Sequence, residues 1–226
     1  KVKPLVEAHV RKAAPPGVTV EVVELHGGRP WKAKVDPKLL EAASAALQEA
    51  YGTPAVLQGE GGSIPIVVGR TGLAWGVGFD ALAEGSEPHK REGDGKSPAG
   101  VFPLGTAFGF APPDSARWVK LPWLQLTATT ECVDDTASAQ YTNVLDRSAV
   151  PRVDWASSER MRSIGVYRLG AVIAYNETPP VKGRGSCVFL HIWGGPDSHT
   201  AGCTAMDAGE LERLLGWLDP EADPVV

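Results

Sequence analysis

The side chains best suited to chemistry are the thiol of Cys203 and the imidazole of His191. Cys203 ends the turn Thr200-Ala201-Gly202-Cys203 shortly before a predicted helix, and His191 lies in an apolar run that predicts a strand. A thiol becomes nucleophilic when it is partly ionised, which a nearby imidazole or helix N-terminus favours. Gly202 lets the backbone N–H groups come close to an oxyanion formed beside the thiol. The pattern therefore predicts Cys203 as nucleophile and His191 as base.

Other interpretations of the same residues remain open. A lone Cys is often a small buried hydrophobe, and a His in an apolar strand is often a hydrogen-bonded core residue. His199 is a rival base, or a third ligand in a metal site with His191 and Cys203, although no fourth ligand is evident. A serine hydrolase is disfavoured because the chain has no Gly-x-Ser-x-Gly motif.

The elements that would position this site are short strands, which dominate after about residue 64. Apolar runs punctuated by Gly and Pro predict them at Ile64–Val68, Leu73–Val77, Val101–Leu104, Trp118–Leu121, Val166–Leu169, Ala171–Tyr175 and Cys187–Trp193. This density of strands and turns indicates a sandwich or small barrel. One helix is expected at the end, where Asp207 and Glu210 make a capping-box variant and leucines from Leu211 to Leu218 form a buried face.

The first third of the chain has a different pattern. Val18, Val20 and Val22 alternate as a half-buried strand does, and Asp36-Pro37 begins a predicted helix that Gly52 ends. We therefore expect a mixed, mainly β architecture in three parts. These are an α/β segment at residues 1–64, a β domain with a C-terminal helix at 65–219, and a frayed Pro- and acid-rich tail at 220–226.

The composition excludes several classes of function. The 226 residues are 43% apolar and 22% charged with a net charge of −5, so nothing favours binding to nucleic acid or an anionic membrane surface. No apolar run approaches the roughly 20 residues needed to span a bilayer. The chain opens with Lys1 and contains no signal peptide, as expected of a trimmed or mature product. The oligomeric state is left open.

The three cysteines are an odd number, so at least one of them is unpaired within the chain. Cys132 and Cys187 could form a disulfide that leaves Cys203 free, or both could be reduced core residues. A count of one free thiol in the unreduced protein would indicate the bridge, and a count of three would exclude it.

Several segments between about Pro65 and Met206 together indicate a family. In chain order they are Val67–Gly76, Lys90–Phe102, Glu131–Asp135, Ser158–Met161, Tyr175–Asn176, Phe189–His191 and Thr200–Cys203. This series resembles the L,D-transpeptidase catalytic domain, or YkuD domain, in the branch whose motif ends in Thr-Ala-Gly-Cys. The resemblance implies a β-sandwich-like fold and a cysteine acyltransferase that works without a metal or other cofactor.

The resemblance also implies a substrate, the stem tetrapeptide of peptidoglycan. Cys203 would attack the carbonyl that joins an L-centre to D-Ala, His191 would take the thiol proton, and D-Ala would leave. An amine of a second stem would resolve the thioester, or water would in a carboxypeptidase. Backbone N–H groups around Gly202 and Cys203 would hold the oxyanion. The expected location is the bacterial cell envelope.

Five residues are predicted on this basis to contact substrate: Asp94, Gly95, Asn176, Trp193 and Thr200. Asp94 and Gly95 would shape the floor of the cleft, although their pattern is also typical of a simple turn.

The motif departs from the commoner family pattern at two positions. Ala201 and Ala205 stand where that pattern has a His and an Arg, so recognition of the donor carboxylate must come from other residues. The candidates are Arg91, Arg160 and Arg184.

Residues 1 to about 67 resemble a fragment of an M20 metallopeptidase. Ala50–Val56 and the Gly-Gly-Ser-Ile-Pro segment within Glu60–Val67 carry this resemblance, but that family's metal-binding segments are missing. The chain thus reads as a fusion of two fragments, and no peptidase activity is expected of the first. Two alternatives to an active acyltransferase remain: a catalytically inactive cell-wall binding module and an M20-like metallopeptidase remnant.

Overall fold

The chain divides into two compact units, Lys1–Ser63 and Ile64–Val226. The computed structural model describes residues 64–80 and 87–226. The strand and helix predicted before residue 64, and most of the stretch that resembles an M20 peptidase, lie outside the described residues.

The described residues form mostly β-sheet with one C-terminal α-helix. The strands are β1 (Ile66–Val67), β2 (Leu73–Trp75), β3 (Ser97–Ala99), β4 (Leu104–Gly109), β5 (Trp123–Gln125), β6 (Thr130–Cys132), β7 (Val144–Asp146), β8 (Glu159–Arg160), β9 (Leu169–Ile173), β10 (Phe189–Ile192) and β11 (Thr204–Met206). The helix α1 spans Ala208–Trp217, and short 3-10 turns lie at Pro113–Ala116, Arg147–Ala149, Met161–Ser163, Gly165–Arg168 and Pro220–Ala222. The mainly β class predicted for this part of the chain is confirmed.

Three sheets are present in this part of the chain. The largest has the strand order β1-β11-β10-β9-β4-β5, and two smaller sheets have the orders β7-β6-β8 and β2-β3. Strands β10 and β11 run parallel, with Leu190 opposite Thr204 and His191 opposite Ala205. Because Cys203 immediately precedes β11, this register delivers it next to the strand that carries His191.

Alternation along β10 gives the large sheet two different faces. Leu190 and Ile192 pack into one apolar core together with Leu211 and Leu215 of α1. Phe189 points the other way, into a second core that contains Phe108, Tyr167 and Cys203. The candidate nucleophile therefore lies on the face of the sheet opposite the helix.

Helix α1 begins as the sequence predicts. The carboxylate of Asp207 accepts hydrogen bonds from the N–H groups of Gly209 at 2.8 Å and Glu210 at 3.4 Å. Glu210 forms an ion pair with Arg213. Neither this helix nor any other in residues 64–80 and 87–226 has the length and apolar character needed to cross a membrane.

Three expectations about local structure are wrong. The tail is not frayed, since Phe102 and Val226 exchange two backbone hydrogen bonds and Leu104 N–H donates to Pro224. The tail's extended backbone thus pairs with the segment that leads into β4. The run at Val166–Leu169 lies mostly in a 3-10 turn, and the strand expected at Trp118–Leu121 forms instead at β5.

Candidate active site

Cys203 is held in a tight, hydrogen-bonded turn at the start of β11. The Gly202 N–H donates to the Thr200 hydroxyl at 3.1 Å, and the hydroxyls of Thr200 and Ser97 both donate to the Cys203 carbonyl, at 2.6 and 2.7 Å. A Cβ at Gly202 would lie 3.0 Å from the Lys96 carbonyl oxygen, so the close approach of that segment favours glycine. The turn therefore fixes the backbone that carries the thiol.

The thiol is 6% exposed and has polar backbone neighbours. Its Sγ accepts the N–H of Phe189 at 3.4 Å and donates to the carbonyl of Cys187 at 3.5 Å. Cys187 is bridged to Cys132, with a Cα–Cα distance of 5.9 Å, which leaves Cys203 as the free cysteine. The sequence left open whether Cys132 and Cys187 are bridged or reduced, and the structure contains the disulfide.

His191 is buried on β10, and one of its ring nitrogens is hydrogen-bonded to the backbone. Its Nδ1 lies 2.7 Å from the carbonyl of Ile192, which can only accept, so Nδ1 carries the hydrogen and Nε2 is left as the acceptor. Burial lowers the pKa of His191, which keeps the ring neutral near pH 7. Among the hydrogen bonds of the described residues, none joins His191 directly to Cys203.

Cys203 and His191 line the same cavity, whose volume is about 380 Å³. The other side chains on its wall include Lys90, Glu92, Asp134, Glu159, Tyr167, Ser186, His199 and Thr200. A larger cavity of about 500 Å³ lies between residues 103–106 and 220–225, but no His or Cys lines it. The chemistry in the described part of the chain is therefore concentrated in the smaller cavity.

The cavity wall carries the carboxyl groups of Glu92, Asp134 and Glu159, and Glu159 affects the thiol. Burial, and then the charge of Glu159, raise the pKa of Cys203 to about 12, although the Phe189 N–H, the Tyr167 hydroxyl and Lys90 oppose that rise. Burial also raises the pKa of Glu159 to about 7, and the charges of Asp134 and Glu92 act in the same direction. The thiol is thus protonated at neutral pH when the cavity is empty.

The predicted floor residues Asp94 and Gly95 do not line this cavity. Asp94 accepts hydrogen bonds from Lys90 Nζ at 2.6 Å and from the N–H groups of Arg91 and Lys96 at 2.8 and 2.9 Å. Burial opposes ionisation of Asp94, but these donors hold its pKa below the usual range. Gly95 lies beside the Arg70 side chain. The residue that Asp94 orients, Lys90, is the one on the cavity wall.

The other predicted substrate contacts are divided between the cavity and the loops around it. Thr200 is on the wall, whereas Asn176 lines a separate cavity with Phe102 and Pro179. The Asn176 amide donates to the carbonyls of Val181 and Gly185, so it organises a loop. Trp193 is half-buried and contributes a backbone bond to Met206 but no part of the cavity wall.

No Arg lines the cavity, which bears on how a donor carboxylate is recognised. Arg184 bonds to the Lys90 carbonyl and to Asp80, and Arg160 is a largely exposed side chain beside Glu131. The cation on the wall is Lys90, which is 3% exposed.

Sequence reasoning missed Lys90, Glu159 and Tyr167 as site residues, because each looks like an ordinary surface or core residue in isolation. Two of them, Lys90 and Glu159, nevertheless lie in segments that carry the family resemblance.

In residues 64–80 and 87–226 no group of three or more His, Cys, Asp or Glu side chains is arranged to hold a metal ion. The alternative metal site made of His191, His199 and Cys203 therefore has no support from the geometry.

The comparisons with known proteins agree with the ordered motifs. A family model described as the YkuD L,D-transpeptidase catalytic domain matches residues 57–226. The match confirms the resemblance drawn from the motifs, and it includes residues 57–67, which also entered the M20 resemblance. Nothing in the comparisons supports that second resemblance. Searches of curated proteins and of solved structures found no match.

Proposed function

The chain belongs to the YkuD family of L,D-transpeptidase catalytic domains, and from that premise we propose that it is a cysteine acyltransferase acting on peptidoglycan stem peptides. Cys203 is the nucleophile and His191 its base. D-Ala is the leaving group, and the acyl-enzyme is resolved by an amine of a second stem or by water.

The observation that carries the proposal is the shared cavity of Cys203 and His191. A neutral imidazole whose Nδ1–H is bonded to Ile192 presents Nε2 as a proton acceptor on the same wall as the only free thiol of the chain. Catalytic hydrogen bonds are often long in an empty site and shorten when substrate binds. The absence of a direct bond between the two side chains is therefore compatible with this assignment.

The proposed reaction balances without any added reagent. The Cys203 proton moves to His191 Nε2, and the sulfur forms a bond to the carbonyl carbon of the L-centre while the carbonyl becomes an oxyanion. The C–N bond to D-Ala breaks, His191 returns the proton to the departing amine, and a thioester remains. An incoming amine or water reverses the steps and regenerates the thiol.

The test is intact mass spectrometry after exposure to a carbapenem, which acylates such thiols as a donor mimic. We expect one adduct per chain on the wild type, none on Cys203→Ala, and acylation slowed on the order of 100-fold or more by His191→Ala. His199→Ala is the matched control, because His199 lines the same cavity, and it should react nearly as fast as the wild type. A slow His199→Ala with a normal His191→Ala would assign the base to His199.

A second candidate is a cell-wall binding module without activity, favoured by the burial of Cys203 and by its pKa of about 12. The same experiment separates the two. A folded wild type that forms no adduct, yet sediments with isolated peptidoglycan, would support the binding module. Release of D-Ala from a stem tetrapeptide, lost in Cys203→Ala, would exclude it.

We propose the bacterial cell envelope as the place of action. Peptidoglycan is the family's substrate, and a disulfide between Cys132 and Cys187 is typical of an oxidising compartment.

A further inference from the structure

Two side chains of the cavity, Glu159 and Tyr167, form a hydrogen-bonded pair that the proposed reaction does not use. The Tyr167 hydroxyl donates to a carboxyl oxygen of Glu159 at 2.7 Å, and Tyr167 belongs to the same apolar core as Cys203 and lines the same cavity. Tyr167 packs edge-on against the ring of His191, with 5.2 Å between centroids. The phenol is therefore bonded to a carboxyl group, packs against His191, and shares its core and its cavity with Cys203.

We propose that Glu159 is a positioning residue that controls Cys203 through Tyr167: in its neutral form it turns the phenol hydrogen toward the sulfur and favours the thiolate, and in its ionised form it withdraws that hydrogen. The inference rests on the proposed function and names a regulator of the same site.

The reason is that a phenol has one hydrogen to donate. A protonated Glu159 can donate its own O–H to the Tyr167 oxygen, which leaves the phenol hydrogen for the sulfur. An ionised Glu159 accepts the phenol hydrogen, so the sulfur faces an oxygen lone pair and a nearby negative charge. Both changes disfavour the thiolate.

The groups that surround Glu159 make this switch operate near neutral pH. Asp134 and Glu92 are carboxyl neighbours whose charges favour the neutral form, and burial acts in the same direction. Lys90, on the same wall, acts on the Cys203 sulfur in the opposite sense to Glu159. Tyr167, His191 and His199 are the other titratable side chains on this wall beside Cys203.

The backbone keeps Glu159 in place. On β8, Glu159 is the register partner of Cys132, and Cys132 is bridged to Cys187, whose carbonyl accepts the Cys203 thiol. Two strands, a disulfide and one hydrogen bond thus connect the carboxyl group to the nucleophile it acts on.

The test is the pH dependence of iodoacetamide alkylation of the full chain, which reports the thiolate fraction of Cys203 because the other two cysteines are bridged. In the wild type, the logarithm of the rate should rise with pH, flatten from about pH 7, where Glu159 ionises, and rise again at higher pH. Glu159→Gln, whose amide can donate to Tyr167 permanently, should remove the flattening and react roughly tenfold faster at pH 9, equivalent to one pKa unit.

Tyr167→Phe should react roughly tenfold more slowly than the wild type at pH 6, where Glu159 is neutral and the phenol hydrogen is free for the sulfur, and should approach the wild-type rate at pH 9. Tyr141→Phe is the matched control, since it removes a comparable phenol–carboxyl bond, to Glu92, and leaves Tyr167 in place. Glu177→Gln is the carboxyl control, because Glu177 also has a raised pKa but lies outside the cavity. Both controls should keep the flattening.

A wild-type profile that rises without flattening between pH 6 and pH 9 would overturn the proposal, and this result needs no variant. Glu159→Gln that is folded by circular dichroism but no faster than the wild type would also overturn it, because a purely structural carboxyl predicts that outcome. Failure of the carbapenem reaction with a flattened alkylation profile would reject the acyltransferase and keep the coupling.

Discussion

The two faces of the small sheet β7-β6-β8 treat a carboxyl group in opposite ways. On one face, Glu131 accepts hydrogen bonds from Trp155 at 2.8 Å, Ser158 at 2.8 Å and Arg147 at 3.1 Å. Burial opposes its ionisation, yet these donors hold the pKa of Glu131 below the usual range. On the other face, Glu159 has Tyr167 as donor and carboxyl groups as neighbours, and its pKa is raised to about 7.

The comparison shows that burial alone does not decide the charge of a carboxyl group, because burial opposes the ionisation of both Glu131 and Glu159. Glu131 is only 2% exposed and is ionised because its donors are numerous and one of them is a cation. Glu159 has a single phenol donor, and burial together with its anionic neighbours raises its pKa to about 7, so it is near half-ionised at neutral pH. The first face holds a carboxylate in a network of donors, and the second places a carboxyl group that titrates near neutral pH in the wall of the Cys203 cavity.

The largest effect on stability is expected at the Cys132–Cys187 disulfide, because Cys132 is the strand partner of Glu159 on the second face. The Cys132–Cys187 disulfide joins residues that are 55 positions apart, so it closes a long loop of the unfolded chain. The chain-entropy model predicts that its reduction lowers the free energy of unfolding by about 4 kcal/mol. Urea unfolding with and without a phosphine reductant measures it. The double variant Cys132→Ala with Cys187→Ala should show the lower stability in both conditions, and reductant sensitivity in that variant would contradict the assignment.

On the first face, Glu131→Gln should lower the free energy of unfolding by about 3 kcal/mol at pH 7, because Trp155, Ser158 and Arg147 lose a charged acceptor. Glu210→Gln is the control, since it breaks an exposed Glu–Arg pair and should change stability by less than about 0.5 kcal/mol. Equal effects in the two variants would remove the distinction between structural and surface carboxylates.

The two carboxyl groups should also respond to pH with opposite signs. A raised pKa in the folded state means that Glu159 costs stability as pH rises from about 4.5 to about 7, so Glu159→Gln should gain about 2 kcal/mol at pH 8 and nothing at pH 4. A lowered pKa means that Glu131 stabilises above about pH 4.5 and that this contribution is lost as pH falls further. Glu131→Gln should therefore approach the wild type in acid, and a parallel response of both variants would refute the comparison.

The smallest effect on the free energy of unfolding is expected at Arg147, the half-exposed partner of Glu131. Arg147→Gln should cost about 1 kcal/mol, because the side chain is 43% exposed but its partner is buried. Arg117→Gln breaks a pair that is exposed on both sides, at 79% and 85%, and should have no measurable effect in thermal unfolding. A comparable loss in both variants would show that the burial of Glu131 adds nothing.

The elements that sequence patterns predicted well are those with a strong local signal. Asp207 and the leucines that follow it define α1, and the apolar run around His191 defines β10. The small sheet was not predicted, because its strands are short and include Glu131, Glu159 and Arg160, which are typical of exposed segments. The paired tail was missed for a related reason, since its partner is the distant segment at Phe102–Leu104.

The sequence by itself determined the family and the turn that carries the candidate nucleophile, because a Thr-Ala-Gly-Cys turn after a His-bearing strand is a local pattern and the accompanying motifs keep their order along the chain. Only the tertiary structure decided the electrostatics of the site. Lys90, Glu159 and Tyr167 reach the Cys203 cavity from separate loops and strands, and Asp94, Gly95, Asn176 and Trp193 stay away from its wall. Such distances depend on how strands far apart in sequence pack, and a pKa depends on those distances and on burial.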